Sequence, residues 1–258
     1  MISDTPTLTL THVLRTLIVE DEPLSRMYLQ ALLAEIPDVV VVDAVATERD
    51  AARAILQHEP DMVLLDIELQ DGTGFGVVAG LGAVNTYILF TTALDHRATG
   101  LLRVCGVPFI TKPIDRDSLY NALTSARDGG SIANHATAIS HLQTALATGG
   151  SPQVFSLPGN LTPRYIVLRD VIAIRGEAGK SCMQLSNGPQ AEVPYTITEL
   201  DNLLKDFGFF RIHIDCIISR RHMSGLSADG LVVRLSDGST AVVSPKKLDT
   251  LREFLAEK

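Results

Sequence analysis

Three carboxylates, a pair of hydroxyls and one lysine recur at the ends of apolar runs in the first half of the chain. Glu20 and Asp21 follow LRTLIV, Asp66 closes MVLLD, Thr91 and Thr92 follow YILF, and Lys112 follows VPFIT. Three carboxylates brought together repel one another, and a hard divalent cation with oxygen ligands, Mg²⁺ by preference, relieves that repulsion. A carboxylate beside Mg²⁺ and a lysine can attack a phosphoryl group, because both cations neutralise charge on the transferred oxygens. One acid at a strand end usually does no more than leave the core. A set of fitting residue types on the right strands points to phosphoryl-acceptor chemistry.

A second stretch, FFRIHIDCIISRRHM from Phe209 to Met223, also carries reactive types. On a strand, Arg211, His213 and Asp215 share one face, with Ile212, Ile214 and Cys216 on the other. That face fits a catalytic His/Asp pair, a metal site, a surface that reads nucleic acid, or solvated polar residues. No nucleophile with a local motif accompanies the pair and no third ligand has metal-like spacing, which disfavours the enzyme and metal readings.

The elements that must position these residues follow from periodicity. From Leu14 to Arg127, apolar runs such as VVVVDAVA and MVLLD alternate with amphipathic segments such as ERDAARAILQH and DRDSLYNALTSAR. Five βα units predict a five-stranded parallel sheet of flavodoxin-like type, covered on both faces, with ligands bound at the carboxyl ends of its strands. Gly129, Gly130 and Ser131 then open a linker over 129–152, which Gly149, Gly150, Ser151 and Pro152 close. Within it Ile139, Leu142 and Leu146 can line one side of a short helix, either inside a linker or as an extension packed on the first domain or a partner. Over 153–258 the pattern is mainly strand, with helical stretches at ITELDNLLKDFG and KKLDTLREFL, predicting a small, mostly β domain.

With 46% hydrophobic and 20% charged residues over 258 positions, the chain can bury a sizeable core. No run approaches the roughly 20 apolar residues of a membrane span, and MISDTPTLTLTH lacks the regions of a signal peptide, so the reading is cytoplasmic with no membrane partner. Cys105, Cys182 and Cys216 have no metal-like spacing and read as small buried apolar residues. The net charge of -8 belongs to the first half: residues 153 to 258 hold 13 Lys and Arg against 12 Asp and Glu.

Residues 14–128 resemble the receiver domain of two-component response regulators, through LIVEDEPLSR, LLDIELQDGTGF, TTA and KPI. The resemblance implies phosphorylation at Asp66 by a sensor histidine kinase, with Mg²⁺ held by Glu20, Asp21, Asp66 and the backbone of Glu68. It further implies that Thr92 is the switch hydroxyl, Phe109 a rotating aromatic, Lys112 the partner of the phosphoryl group, and Lys112–Pro113 a cis bond. Homodimerisation on phosphorylation is the implied output. Such a protein is a phosphoacceptor regulator and not an enzyme, catalysing only its own phosphorylation and dephosphorylation.

Residues 153–258 resemble the LytTR-type DNA-binding domain, through VIAIRGEAGKSCMQL, ITELDNLLKDFGFFRIH and LVVRLSDGSTAVVSPKKLDTL. The family usually has His-Arg-Ser where this chain has His213-Ile214-Asp215, Asn in place of Ser219 and Arg in place of Pro245. The resemblance implies promoter DNA as partner, with Lys180, Arg211, His213, Ser219, Arg220, Arg221, Lys246 and Lys247 as candidate contacts. Losing two arginines removes attraction for phosphates, and Asp215 adds repulsion if it faces the duplex. Ser244–Pro245 reads as a helix N-cap followed by proline, with two lysines in the first turn where a phosphate could dock. Transcription regulation through promoter DNA is the leading reading. The alternative is the same architecture with weakened DNA binding, acting through protein contacts.

Overall fold

The structure is a computed structural model that describes residues 13–82, 85–93, 95–158, 163–177 and 179–256. The opening segment read for a leader, 1–12, lies outside the described residues. Packing divides the described chain into two compact units, one within 1–94 and 108–137, the other within 95–107 and 138–258.

In the first unit, strands β1 (Leu14–Val19), β2 (Val39–Val45), β3 (Met62–Asp66), β4 (Tyr87–Thr92) and β5 (Phe109–Thr111) form a parallel sheet in the order β2-β1-β3-β4-β5. β3 and β4 are buried at every position, as a parallel sheet covered on both faces requires. Ile18, Leu64 and Leu89 from the sheet meet Leu29 and Leu33 of α1 (Pro23–Ala34) and Leu119 and Leu123 of α5 (Arg116–Arg127) in one apolar cluster. Helix starts follow their capping residues. Thr47 accepts from Asp50 N–H at the start of α2 (Glu48–His58), Thr73 from Gly76 N–H at α3 (Gly74–Gly80), and Asp115 from Ser118 N–H at α5.

After α5 the chain continues into α6 (Gly129–Ala147), so the glycines expected to open a linker lie inside a helix. At its first half, His135 is buried: its Nε2 accepts from Ile88 N–H at 2.8 Å and its ring stacks on Tyr87 at 4.3 Å. Burial pushes that imidazole down to about 4. Ile139 and Leu142 are buried as their spacing implies, and Leu146 is half-buried.

The second unit is mostly β. A five-stranded antiparallel sheet runs in the order β10 (Ala191–Val193), β9 (Lys180–Leu185), β8 (Val171–Glu177), β12 (Cys216–Ser219), β11 (Phe209–His213). A two-stranded pair, β6 (Val154–Leu157) with β7 (Arg164–Val167), and a three-stranded sheet, β13 (Met223–Leu226), β14 (Val232–Leu235) and β15 (Thr240–Val242), complete it. Helix α7 (Ile197–Leu204) starts in a capping box of Thr196 and Glu199. Its Leu200 and Leu204 join Phe155, Leu157, Ile174 and Ile217 in one core, which also takes Val104 of α4 (His96–Cys105). A second cluster gathers Ile212, Ile218, Val233 and Leu251, the last on α8 (Leu248–Ala256). Cys105 and Cys216 are buried, while Cys182 is half-exposed and donates to Gln190 Oε1, so only two of the three thiols behave as core.

Candidate functional site

The first site is built at the carboxyl edge of the parallel sheet. β1 delivers Glu20 and Asp21, β3 ends on Asp66, β4 on Thr92, and Lys112 directly follows β5. Lys112 Nζ donates to Asp66 Oδ2 at 2.6 Å and to Glu20 Oε1 at 2.9 Å, joining positions 92 and 46 residues apart. Glu20 Oε2 lies 2.8 Å from the same ammonium but is buried with no hydrogen bond of its own. Oxygens of Glu20, Asp21 and Asp66 all come within 4.8 Å of one another. Burial pushes the Glu20 carboxyl above the usual carboxylate range; the Lys112 hydrogen bond opposes that, and the Asp66 charge adds to it. Burial alone would lower Lys112, but its hydrogen bonds to Asp66 and Glu20 outweigh this and hold its ammonium above the ordinary value.

Three carboxylates against one ammonium leave the cluster negative, and carboxylate oxygens converging within 4.8 Å of one another are the donor set a hard cation takes. The residues therefore fit a divalent cation. Glu68 contributes its backbone at the rim: its N–H donates to Asp66 Oδ1 at 3.3 Å. Thr92 is buried and its hydroxyl donates to the Ala93 carbonyl at 2.8 Å, and Phe109 is half-buried. The Lys112–Pro113 bond is cis.

Three residues that shape this edge were not singled out from the sequence. Arg26, one turn into α1, donates through Nη1 to the carbonyls of Glu20 at 2.6 Å and Asp21 at 3.3 Å, bracing the loop that carries both acids. Glu48 ties down the loop after Asp66 at two points: its N–H donates to Asp71 Oδ1 at 2.6 Å, and its Oε2 accepts from Thr73 N–H at 2.8 Å. A Cβ at Gly76 would lie 2.4 Å from that carboxylate, so this approach depends on glycine. A basic residue one helical turn beyond an acidic pair was the available signal for Arg26. Glu48 had none, because the pairing is tertiary.

The second unit sorts the nucleic-acid candidates. Lys246, Lys247 and Arg221 are exposed, and Lys247 also lies over the Phe210 ring at 5.9 Å. Four others are committed elsewhere. Lys180 pairs with Glu192, and Ser219 is buried. Arg220 donates to the Leu255 carbonyl at 3.0 Å and packs over Phe254. Arg211 turns inward, with 18% of its side chain exposed, and donates to the carbonyls of His213 and Ile214.

The face expected to alternate through Asp215 is broken. β11 ends at His213, its pairing with β12 shifts register between Arg211 and His213, and Ile214 and Asp215 form the connecting turn. Asp215 is not a bare charge on a strand, because its Oδ1 lies 2.5 Å from His213 Nδ1. Ser244 makes no side-chain cap bond, and Pro245 stands at the start of a 3-10 turn, Pro245–Lys247, that leads directly into α8. Ser244 N–H does bond the Ile212 carbonyl at 2.8 Å, which seats that lysine-bearing turn beside the end of β11.

Residues 16–124 match the response regulator receiver domain and residues 164–256 the LytTr DNA-binding domain. The sensory transduction protein LytR of Staphylococcus haemolyticus is 26% identical over 226 residues, 83% of this chain and 86% of that protein. The sensory transduction protein LytT of Bacillus cereus is 33% identical over 113 residues, 43% of this chain and 46% of that protein. LytT of Bacillus subtilis is 24% identical over 254 residues, 94% of this chain and 99% of that protein. Among the described residues no helix is long and apolar enough to cross a membrane. The chain belongs to the two-component response regulators and joins a receiver domain to a LytTR DNA-binding domain.

Proposed function

We propose that Asp66 is the phosphoacceptor of this regulator, that a sensor histidine kinase supplies the phosphoryl group, and that the phosphorylated chain dimerises and binds promoter DNA. The phosphorylated module spans 14–128 and the DNA-binding module 153–258, joined through 129–152. The observation that carries the reading is the Lys112 ammonium held at 2.6 Å from Asp66 in a cluster with more carboxylates than cations.

Glu20, Asp21, Asp66 and the Glu68 backbone would hold Mg²⁺, which when bound supplies positive charge for the transferred oxygens. The chain's own residues do the rest. Asp66 Oδ attacks phosphorus, the donor's leaving group departs with its electron pair, and Lys112 exchanges its carboxylate partners for a phosphoryl oxygen. Thr92 gives up its bond to the Ala93 carbonyl to follow the new acceptor oxygens, and Phe109 moves with it. Beyond this self-phosphorylation and its reversal the chain has no reaction of its own in this reading.

On the DNA side, Lys246, Lys247 and Arg221 keep exposed cations for phosphates, and His213 ends β11, whose Ile212 carbonyl bonds Ser244 N–H just before the two lysines. The second reading, an output through protein contacts, draws on the inward Arg211, the buried Ser219 and the near-neutral second half.

The test is intact-mass measurement after incubation with acetyl phosphate and Mg²⁺. The parent chain gains one phosphoryl group and Asp66→Asn gains none; an equal gain in the variant removes Asp66 from the role.

A further inference from the structure

The turn between β11 and β12 is braced from two sides. Arg211 Nε donates to the His213 carbonyl at 3.1 Å, Nη2 to the Ile214 carbonyl, and Nη1 to Thr198 Oγ1 of α7 at 3.1 Å. From β8, Gly176 N–H donates to the Asp215 carbonyl at 2.7 Å. The backbone that carries His213 and Asp215 is thus fixed by groups that take no part in the contact between their side chains. Within that frame Asp215 Oδ1 lies 2.5 Å from His213 Nδ1. The hydrogen bond from His213 holds the Asp215 carboxyl below the usual range, desolvation working against it.

An ionised carboxylate can only accept, so Nδ1 carries the proton, and in the Nδ1–H tautomer Nε2 keeps a lone pair. The imidazole is 40% exposed, which leaves it reachable. On the same turn Ile214 is 75% exposed, an apolar tip left open by the described residues. An acceptor next to an apolar tip has a specific complement in the major groove. Adenine offers an N6 amine and its thymine partner a C5 methyl, whereas a G·C pair offers no methyl.

We propose that Asp215 is a positioning residue for DNA recognition: it holds His213 as the Nδ1–H tautomer so that Nε2 accepts from an adenine amine while Ile214 meets the thymine methyl. The proposal rests on reading the second unit as DNA-binding. It assigns to Asp215 the opposite sign from simple repulsion, because a carboxylate committed to His213 sets geometry instead of only opposing phosphates.

The probe is a duplex selected from a random-sequence pool by the full-length phosphorylated chain, with a scrambled duplex as control. Asp215→Asn, whose amide can donate to Nδ1 and reverse the tautomer, loses about tenfold affinity for the selected duplex, the scale of one good base contact. Its affinity for the scrambled duplex stays within about twofold, since phosphate contacts set that value. Asp215→Ser follows the same pattern. Replacing the contacted adenine by purine, which lacks the amine, costs the parent a similar factor and the variants nothing more. Nitrogen-15 NMR finds His213 protonated on Nδ1 in the parent and not in Asp215→Asn.

Tighter binding of both duplexes by the two variants would overturn the proposal in favour of plain repulsion, and so would a parent His213 protonated on Nε2 alone. A pool that does not enrich, together with indifference to Lys246→Ala, overturns the DNA reading itself, and the proposal falls with it.

Discussion

Replacing Lys112 by methionine removes the cation that, among the described residues, touches both Glu20 and Asp66, while keeping much of the stem volume. At contact distances of 2.6 and 2.8 Å, each attraction is worth about 6 kcal/mol at an effective dielectric constant of about 20, before desolvation is set against it. Removing one partner of a buried ion pair typically costs about 3–5 kcal/mol net. The ammonium is 24% exposed and its partners nearly fully buried, so solvent screening is modest and the lower half of that range applies, about 3 kcal/mol at pH 7 without divalent cation. Glu20 limits the loss, because its carboxyl already sits above the ordinary range and takes up a proton once Lys112 has gone.

The sign of the pH dependence follows. An acid whose folded pKa is raised contributes stability that is present below its unfolded value and lost as pH rises through its folded value. Lys112→Met therefore costs less at pH 5 than at pH 7. Mg²⁺ competes with the proton for these carboxylates, and at a hundred times its dissociation constant adds about 3 kcal/mol to whichever chain binds it. Urea titrations of parent and variant at both pH values, with chelator and with Mg²⁺, measure all four quantities. A cost under about 1 kcal/mol at pH 7, or one that neither acid nor Mg²⁺ changes, would mean that the cluster holds no unbalanced charge.

Sedimentation of the chain with and without acetyl phosphate shows a shift from monomer toward dimer, absent in Thr92→Ala even when it is phosphorylated. Lys246→Ala and Lys247→Ala each weaken DNA binding on selected and scrambled duplexes alike and reduce the salt slope by about one, as loss of a phosphate contact does. His135 has a folded value of about 4 against an ordinary 6.5, so its contribution is present above pH 6.5 and lost as pH falls toward 4, up to about 3 kcal/mol. His135→Phe flattens that part of the pH–stability curve measured by urea titration.

The acid edge was legible because three things coincide in the sequence: apolar runs end on acids, those runs alternate with helices, and parallel strands put their carboxyl ends together. Distances were not legible, and Arg26 was marked only by its place one turn beyond the acidic pair, since its contacts with two backbone carbonyls arise only once α1 folds back over the loop. Gly129 and Gly130 read as a break because glycine disfavours helix by about 1 kcal/mol per residue. Packing of His135, Ala138, Leu142 and Ala145 along α6 overrides that preference. The turn at Ile214–Asp215 was hidden for a different reason. Strict alternation continues through it and assigns its one turn-forming type, Asp215, to a strand face, while the reversal is held by Arg211, a residue that the same alternation places on the recognition face. A period-two pattern reports which side chains could share a face and not where the strand stops.

Phosphorylation at Asp66 controlling DNA binding is tested most directly by titrating a duplex selected by the phosphorylated parent with four samples, the parent chain and Asp66→Asn, each with and without acetyl phosphate and Mg²⁺, over a series of salt concentrations. The parent binds tighter when phosphorylated, and Asp66→Asn binds equally with and without the phosphodonor, at the affinity of the untreated parent. Equal affinity of the parent in both states, with the phosphoryl gain confirmed by mass, would contradict phosphorylation control of DNA binding and leave the output to protein contacts.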